Sequence, residues 1–116
     1  MKSRSCKNKG MKGQKEVAEM ISKMLDIPLG DIKITTAGVK GIDVEVCESQ
    51  KHKFPFDLEV KRVEKLNIWA AFEQASENSD LPAVAFRRNR DEWKICLSLE
   101  DFLALMAVNN LRGDLV

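Results

Sequence analysis

Apolar residues recur along this chain at two different periods, and the switches between them mark its elements. Val17, Met20, Ile21, Met24 and Leu25 fall at the i, i+3, i+4, i+7, i+8 spacing of an amphipathic helix that begins near Gly13 and is ended by Pro28 and Gly30. On that wheel Glu19 points away from the apolar face, within reach of Lys23 at i+4, and Glu16 lies on the border of the buried stripe beside Met20. Asp31 to Thr36 reads as a short strand, and Thr35 to Gly41, with two glycines, as a bend.

The period then drops to two. Ile42, Val44 and Val46 alternate with Asp43 and Glu45, and Phe56, Leu58 and Val60 alternate with Asp57, Glu59 and Lys61. Between these runs lies the polar stretch Cys47 to Lys53, about the length of a hairpin connection, so the two form adjacent antiparallel strands that present acids on their outer face. Facing like charges destabilise a strand pair unless something positive sits between them, and Lys61 or a divalent cation would serve.

Leu66 to Asn78 returns to helical spacing, with Ile68, Phe72 and Ala75 on one face, Leu66, Trp69 and Ala70 widening it, and Gln74 on the flank. Pro82 to Phe86 suits a buried strand, and Trp93, Ile95 and Leu97 alternate as another. The polar turn between them carries Arg87, Arg88 and Arg90. Ser98 and Asp101 resemble a capping box opening a last helix whose apolar face is Leu99, Phe102, Leu103 and Met106. The order of helix, three strands, helix, two strands, helix predicts a single-domain α/β fold around one mixed β-sheet flanked by helices. Residues 1–12 read as a basic flexible arm and 13–116 as the folded domain.

Composition narrows the chemistry. With 116 residues, 44% hydrophobic and 32% charged, the chain has the make-up of one ordinary globular domain. No apolar run approaches membrane-span length and the start lacks the apolar core of a signal peptide, which leads to the expectation of a cytoplasmic protein. Three widely spaced cysteines without a CxxC pair argue against a disulfide framework and a zinc cluster, and one histidine, His52, precludes a two-histidine metal site. Any metal would therefore be held by carboxylates, which favours magnesium, calcium or manganese. The net charge of +1 conceals an asymmetry: Met1 to Lys15 holds six basic residues and no acid, leaving 13 basic against 18 acidic in the remainder. A basic arm of this kind suits a polyanionic partner, and equally a solubilising terminus.

An acid separated by one residue from a lysine occurs three times, at Asp31-Ile-Lys33, Glu59-Val-Lys61 and Glu92-Trp-Lys94. Only the middle one combines an aliphatic strand with an upstream strand bearing Asp43 just after a glycine. That conjunction, Gly41-Ile-Asp43 leading into one strand and Glu59-Val-Lys61 on the next, resembles the PD-(D/E)xK nuclease superfamily. Glu16 on the first helix and Gln74 on the following one extend the likeness, which covers roughly Gly13 to Leu97. Ile42 stands where the motif's name has proline. The compact spacing is similar to the Holliday junction resolvase-like and virus-type replication-repair branches.

The resemblance implies a restriction-endonuclease-like αβββαβ core with an extra strand and a C-terminal helix. It implies a magnesium ion, replaceable by manganese, on Asp43, Glu59 and the carbonyl of Val60, lowering the pKa of a bound water and polarising the scissile phosphate. Lys61 would orient the attacking water, Glu16 would be an accessory ligand, and Gln74 would position Lys61 or the substrate. It further implies endonucleolytic cleavage of branched DNA in recombination or repair, leaving a 5′-phosphate and a 3′-hydroxyl, by a homodimer. Lys9, Lys12, Lys40, Arg87, Arg88 and Arg90 would contact phosphates, whereas Trp69 and Trp93 fit core positions. Asp57 and Glu45 read as solvent-facing, Glu45 the nearer to the metal. A nicking nuclease without junction preference, a non-catalytic nucleic-acid-binding module and a plain solvated sheet face remain open on the sequence alone.

Overall fold

The computed structural model describes residues 2–35 and 40–112, and the side chains of 11–35 and 40–110. Its elements are α1 (Lys2–Leu25), β1 (Ile32–Ile34), β2 (Val44–Val46), β3 (Asp57–Arg62), α2 (Ile68–Asn78), β4 (Pro82–Arg87), β5 (Lys94–Cys96) and α3 (Leu99–Arg112), with short 3-10 turns at Leu29–Asp31 and Glu48–Gln50. One five-stranded sheet in the order β1-β2-β3-β4-β5 carries them. β1, β2 and β3 are antiparallel neighbours, β3 and β4 run parallel with α2 as the crossover, and β5 returns antiparallel to β4. The single mixed-sheet α/β domain expected from the alternation of periods is therefore present. Among the described residues no helix is long and apolar enough to cross a membrane.

Strand alternation divides the core in two. On one face Leu58 and Val60 of β3, Val44 and Val46 of β2, and Ala83 and Ala85 of β4 pack against Val17, Ala18 and Ile21 of α1. On the other, Val84 packs with Ala71 and Ala75 of α2, flanked by Leu66, Ile68, Phe72 and Phe86. The second face is the one that carries Glu59 and Lys61. It is consequently not an open outer face, and Glu59 is only 5% exposed.

Helix α1 differs from its sequence-based outline twice. It runs back to Lys2, where an unstructured arm was expected, because Lys, Arg, Met and Gln are good helix formers and no proline precedes Pro28. Its buried stripe is also rotated, to Gly13, Gln14, Val17, Ala18 and Ile21, while Met20, Met24 and Leu25 are exposed. The cause is close approach. A Cβ at Gly13 would stand 3.4 Å from Trp93 Cη2 and 3.5 Å from both Arg62 Cβ and Val60 Cγ1, so the small residues set which side of the helix meets the sheet.

Two further elements turn differently from expectation. Trp69 is 82% exposed and not in the core, because Ala71 and Ala75 face the sheet and a residue two positions before Ala71 lies about 200° round the helix. In α3, Leu105 packs on the core and Leu99, Phe102 and Leu103 are exposed, as is Ile95 on the edge strand β5. The cap of α3 follows the sequence reading, with Ser98 Oγ accepting the Asp101 N–H at 3.0 Å; α2 starts later than Leu66, at a cap in which Asn67 Oδ1 accepts the Ala70 N–H at 3.2 Å.

Candidate active site

Asp43 is fixed by the bend that delivers the chain to β2. Gly41 adopts φ +129, a conformation that side chains rarely tolerate, and Thr35 Oγ1 donates to the Ile42 carbonyl. The Thr35 N–H then reaches the Asp43 carbonyl at 2.9 Å, and the Asp43 N–H reaches the Leu58 carbonyl at 3.0 Å. Residue 43 is thus tied to the end of β1 on one side and to β3 on the other. Residues 36–39 of the bend lie outside the described residues.

β2 pairs with β3 through Val44 and Leu58, so Val60 extends past the start of β2. Its N–H is accepted by Asp43 Oδ2 at 2.8 Å. A strand residue directs its N–H and C=O to the same edge, so the Val60 carbonyl faces the same side as the Asp43 carboxylate. Glu59 lies next to Val60 in β3, and the register that pairs Val44 with Leu58 sets it opposite Asp43, so that each carboxyl group feels the charge of the other. Lys61 Nζ stands 3.4 Å from Glu59 Oε1.

Burial raises both carboxyl pKa values. For Asp43 desolvation dominates and is opposed by the Val60 N–H, by Lys61 and by the hydrogen bond with Glu59. For Glu59 desolvation is again the first cause, the Asp43 charge adds to it, and Lys61 opposes it. One lysine at 3.4 Å from Glu59 faces two neighbouring acids, one buried and one half-buried. This is a donor set that fits a hard divalent cation: two carboxylates, an adjacent carbonyl, and no sulfur or imidazole. Among the described residues no group of three or more His, Cys, Asp or Glu side chains gathers as a ligand cluster, and magnesium needs only one or two carboxylates.

Glu16 is placed elsewhere. Both its carboxylate oxygens accept from Arg87 Nη2, at 3.0 and 3.3 Å, on the face of the sheet covered by α1. Gln74 is exposed on α2, and its carbonyl accepts from Asn78. Among the described residues no hydrogen bond or ion pair joins either of them to Asp43, Glu59 or Lys61. Arg87 is equally committed: it is the last residue of β4, donates to the Asp91 carbonyl and to Glu16, and lies 5.4 Å over the Trp93 ring. That leaves it unsuited to the phosphate contact expected of it. Asp57, expected to face solvent, pairs with Lys51 Nζ at 2.7 Å and accepts from Ser79 Oγ at 2.6 Å.

The remaining cations have a common location. β3 and β4 end, and β2 begins, at the same end of the sheet, so Lys40, Lys61, Arg88 and Arg90 share the end that holds Asp43 and Glu59. Lys12 of α1 adjoins Gly13, which abuts Arg62 at that end, and Lys12, Lys40, Arg88 and Arg90 are all exposed. Of Lys9 only the backbone is described.

One residue escaped the sequence pattern. Gln14 is 5% exposed with its Oε1 lacking a hydrogen-bond partner, and the Nε atoms of Arg62 and Arg87 are also buried and unpartnered. The glycine beside Gln14 was the only sequence signal that this polar residue faces inward. Compared with protein-family models, with curated proteins and with solved structures, the chain matches none.

Proposed function

We propose that this chain is a magnesium-dependent endodeoxyribonuclease that hydrolyses phosphodiesters of branched or structured DNA such as Holliday junctions. The observation that carries the reading is the meeting of half-buried Asp43 and buried Glu59, opposite one another on neighbouring strands and beside Lys61, at the sheet end where exposed basic residues collect. Manganese would replace magnesium in the same oxygen donor set.

Asp43, Glu59 and the Val60 carbonyl would hold the cation. When bound it would draw charge from the phosphate oxygens and ease ionisation of water. Asp43, held by the Val60 N–H, keeps its carboxylate aimed at the β3 edge. Lys61 donates to the attacking water or to the phosphate oxygen that gains charge. The water oxygen bonds to phosphorus and gives up a proton to solvent, the bond from phosphorus to the 3′ oxygen breaks, and the departing oxygen takes up a proton from solvent. Lys12, Lys40, Arg88 and Arg90 would hold the flanking phosphates, giving affinity that falls as salt rises.

The exposed Ile95, Leu99, Phe102 and Leu103 support a homodimer through β5 and α3, which would present two sites to a branched substrate. The experiment compares a synthetic four-way junction with linear duplex, in magnesium or EDTA. Paired, magnesium-dependent cuts at the junction support the reading. Cutting of both substrates removes the junction preference, and tight binding without cutting favours a non-catalytic module.

A further inference from the structure

Trp69 is the largest apolar side chain left in water, 82% exposed on the first turn of α2. Its surroundings distinguish it from the apolar patch on β5 and α3. The exposed neighbours on its helix are Ala70, Glu73, Gln74, Ser76 and Glu77, small or polar residues that give no apolar core for a protein interface. Val63 is exposed nearby in sequence, and Leu66, Ile68 and Phe72 are half-buried against the sheet. The cations on its side of the sheet are Lys61 near the end of β3, which also faces Glu59, and exposed Lys65 in the connection to α2, while Glu64 accepts the Asn89 N–H at 2.7 Å. Glu73 lies one turn further along, so the favourable approach for a polyanion is from the helix N-terminal side.

An exposed indole on the first turn of α2, with exposed Lys65 just before the helix and Lys61 at the sheet end that carries Asp43 and Glu59, has the make-up of a stacking platform for a nucleobase. A paired base in duplex offers only its edges, so the ring would engage only an unstacked one. We infer that Trp69 stacks on an unpaired base of the nucleic-acid substrate and thereby selects DNA with single-stranded or branched character next to the site. This inference rests on the nuclease reading for its substrate.

The test is equilibrium binding in EDTA, where cleavage does not intervene, by fluorescence anisotropy of a labelled blunt duplex and of the same duplex carrying a short unpaired flap. Wild type is compared with Trp69→Ala, Trp69→Leu and Trp69→Phe. Stacking predicts a roughly 5- to 150-fold loss of flap affinity in the Ala and Leu variants, from the range known for base–aromatic stacking. Phe retains most of the affinity, and blunt-duplex binding changes little. Intrinsic tryptophan emission would also be quenched by the flap substrate and not by the blunt one. Unchanged flap affinity in Trp69→Leu, or an equal loss on both substrates, overturns the inference. So does a loss accompanied by a change from dimer to monomer in sedimentation, which would make Trp69 a subunit contact. Because the readout is binding, an enzyme that fails to cut DNA but shows the Trp69 dependence sinks only the nuclease reading. Magnesium-dependent cutting with flap affinity indifferent to Trp69 sinks only this one.

Discussion

The Val60 main-chain N–H donates to the Asp43 carboxylate at 2.8 Å, across the point where β3 runs on past the start of β2. A side chain thus takes the place of a strand partner, and the same contact brings a carboxylate, a main-chain carbonyl and the neighbouring Glu59 to one edge. The local irregularity of the sheet is what assembles the site.

Placing two acids there is a cost to the fold that protonation relieves. The folded-state pKa values of Asp43 and Glu59 lie above their ordinary 3.8 and 4.5, so their favourable contribution is complete below those ordinary values and is lost as pH rises through the raised ones. In EDTA, Asp43→Asn and Glu59→Gln are therefore expected to raise Tm by a few degrees at neutral pH, with the gain shrinking towards pH 4. Thermal denaturation across that range checks it. A neutral-pH Tm below that of wild type in both variants would contradict the account.

A bound divalent ion should reverse that ranking. Manganese at 100 times its Kd stabilises a folded protein by about 2.7 kcal/mol, a Tm rise of roughly 10 °C for a domain of this size. Wild type should show this rise, and Asp43→Asn and Glu59→Gln should lose most of it. Calorimetric titration with manganese gives the same answer from heats of binding.

Glu16 should behave as a structural residue. Its ion pair with Arg87 has side-chain exposures of 30% and 13%, which predicts a coupling of roughly 1–2 kcal/mol in a double-mutant cycle with alanine at each position, read from urea unfolding. Glu16→Gln should keep the manganese-induced Tm rise in full. Loss of that rise would instead make Glu16 a ligand of the bound manganese.

Gly13 tests the packing that orients α1. An added methyl group meets Trp93, Arg62 and Val60 at ordinary contact distances, so Gly13→Ala should stabilise by roughly 0.5–1 kcal/mol through helix propensity. Gly13→Leu has no room against the same three side chains and should destabilise by about 2 kcal/mol. Chemical denaturation separates the two signs.

Much of this architecture is written in the local pattern. The two-residue period of β2 and β3 places Val44, Leu58 and Val60 inward, and the Asp43, Glu59 and Lys61 grouping follows from it, because adjacent strands bring alternate residues side by side. Helix faces were less legible. Met20, Met24, Trp69, Leu99, Phe102 and Leu103 satisfy an apolar spacing, yet the faces that meet the sheet are set by Gly13, Ala18, Ala71 and Ala75, small residues that permit close approach. Hydrophobicity alone does not register that preference. The partner of Glu16 is illegible for a related reason: its position on the helix is visible in the sequence, but Arg87, with which it forms an ion pair, lies 71 residues away.

The most direct measurement is single-turnover cleavage of a four-way DNA junction in magnesium by wild type, Glu59→Gln and Lys61→Met, with folding of each checked by thermal denaturation. A wild-type rate that disappears in EDTA and falls by roughly 100-fold or more in both variants is the predicted result. Cleavage that persists at the wild-type rate in folded Glu59→Gln, or a wild type that binds the junction and never cuts it, would contradict the assignment of Asp43, Glu59 and Lys61 as a nuclease site.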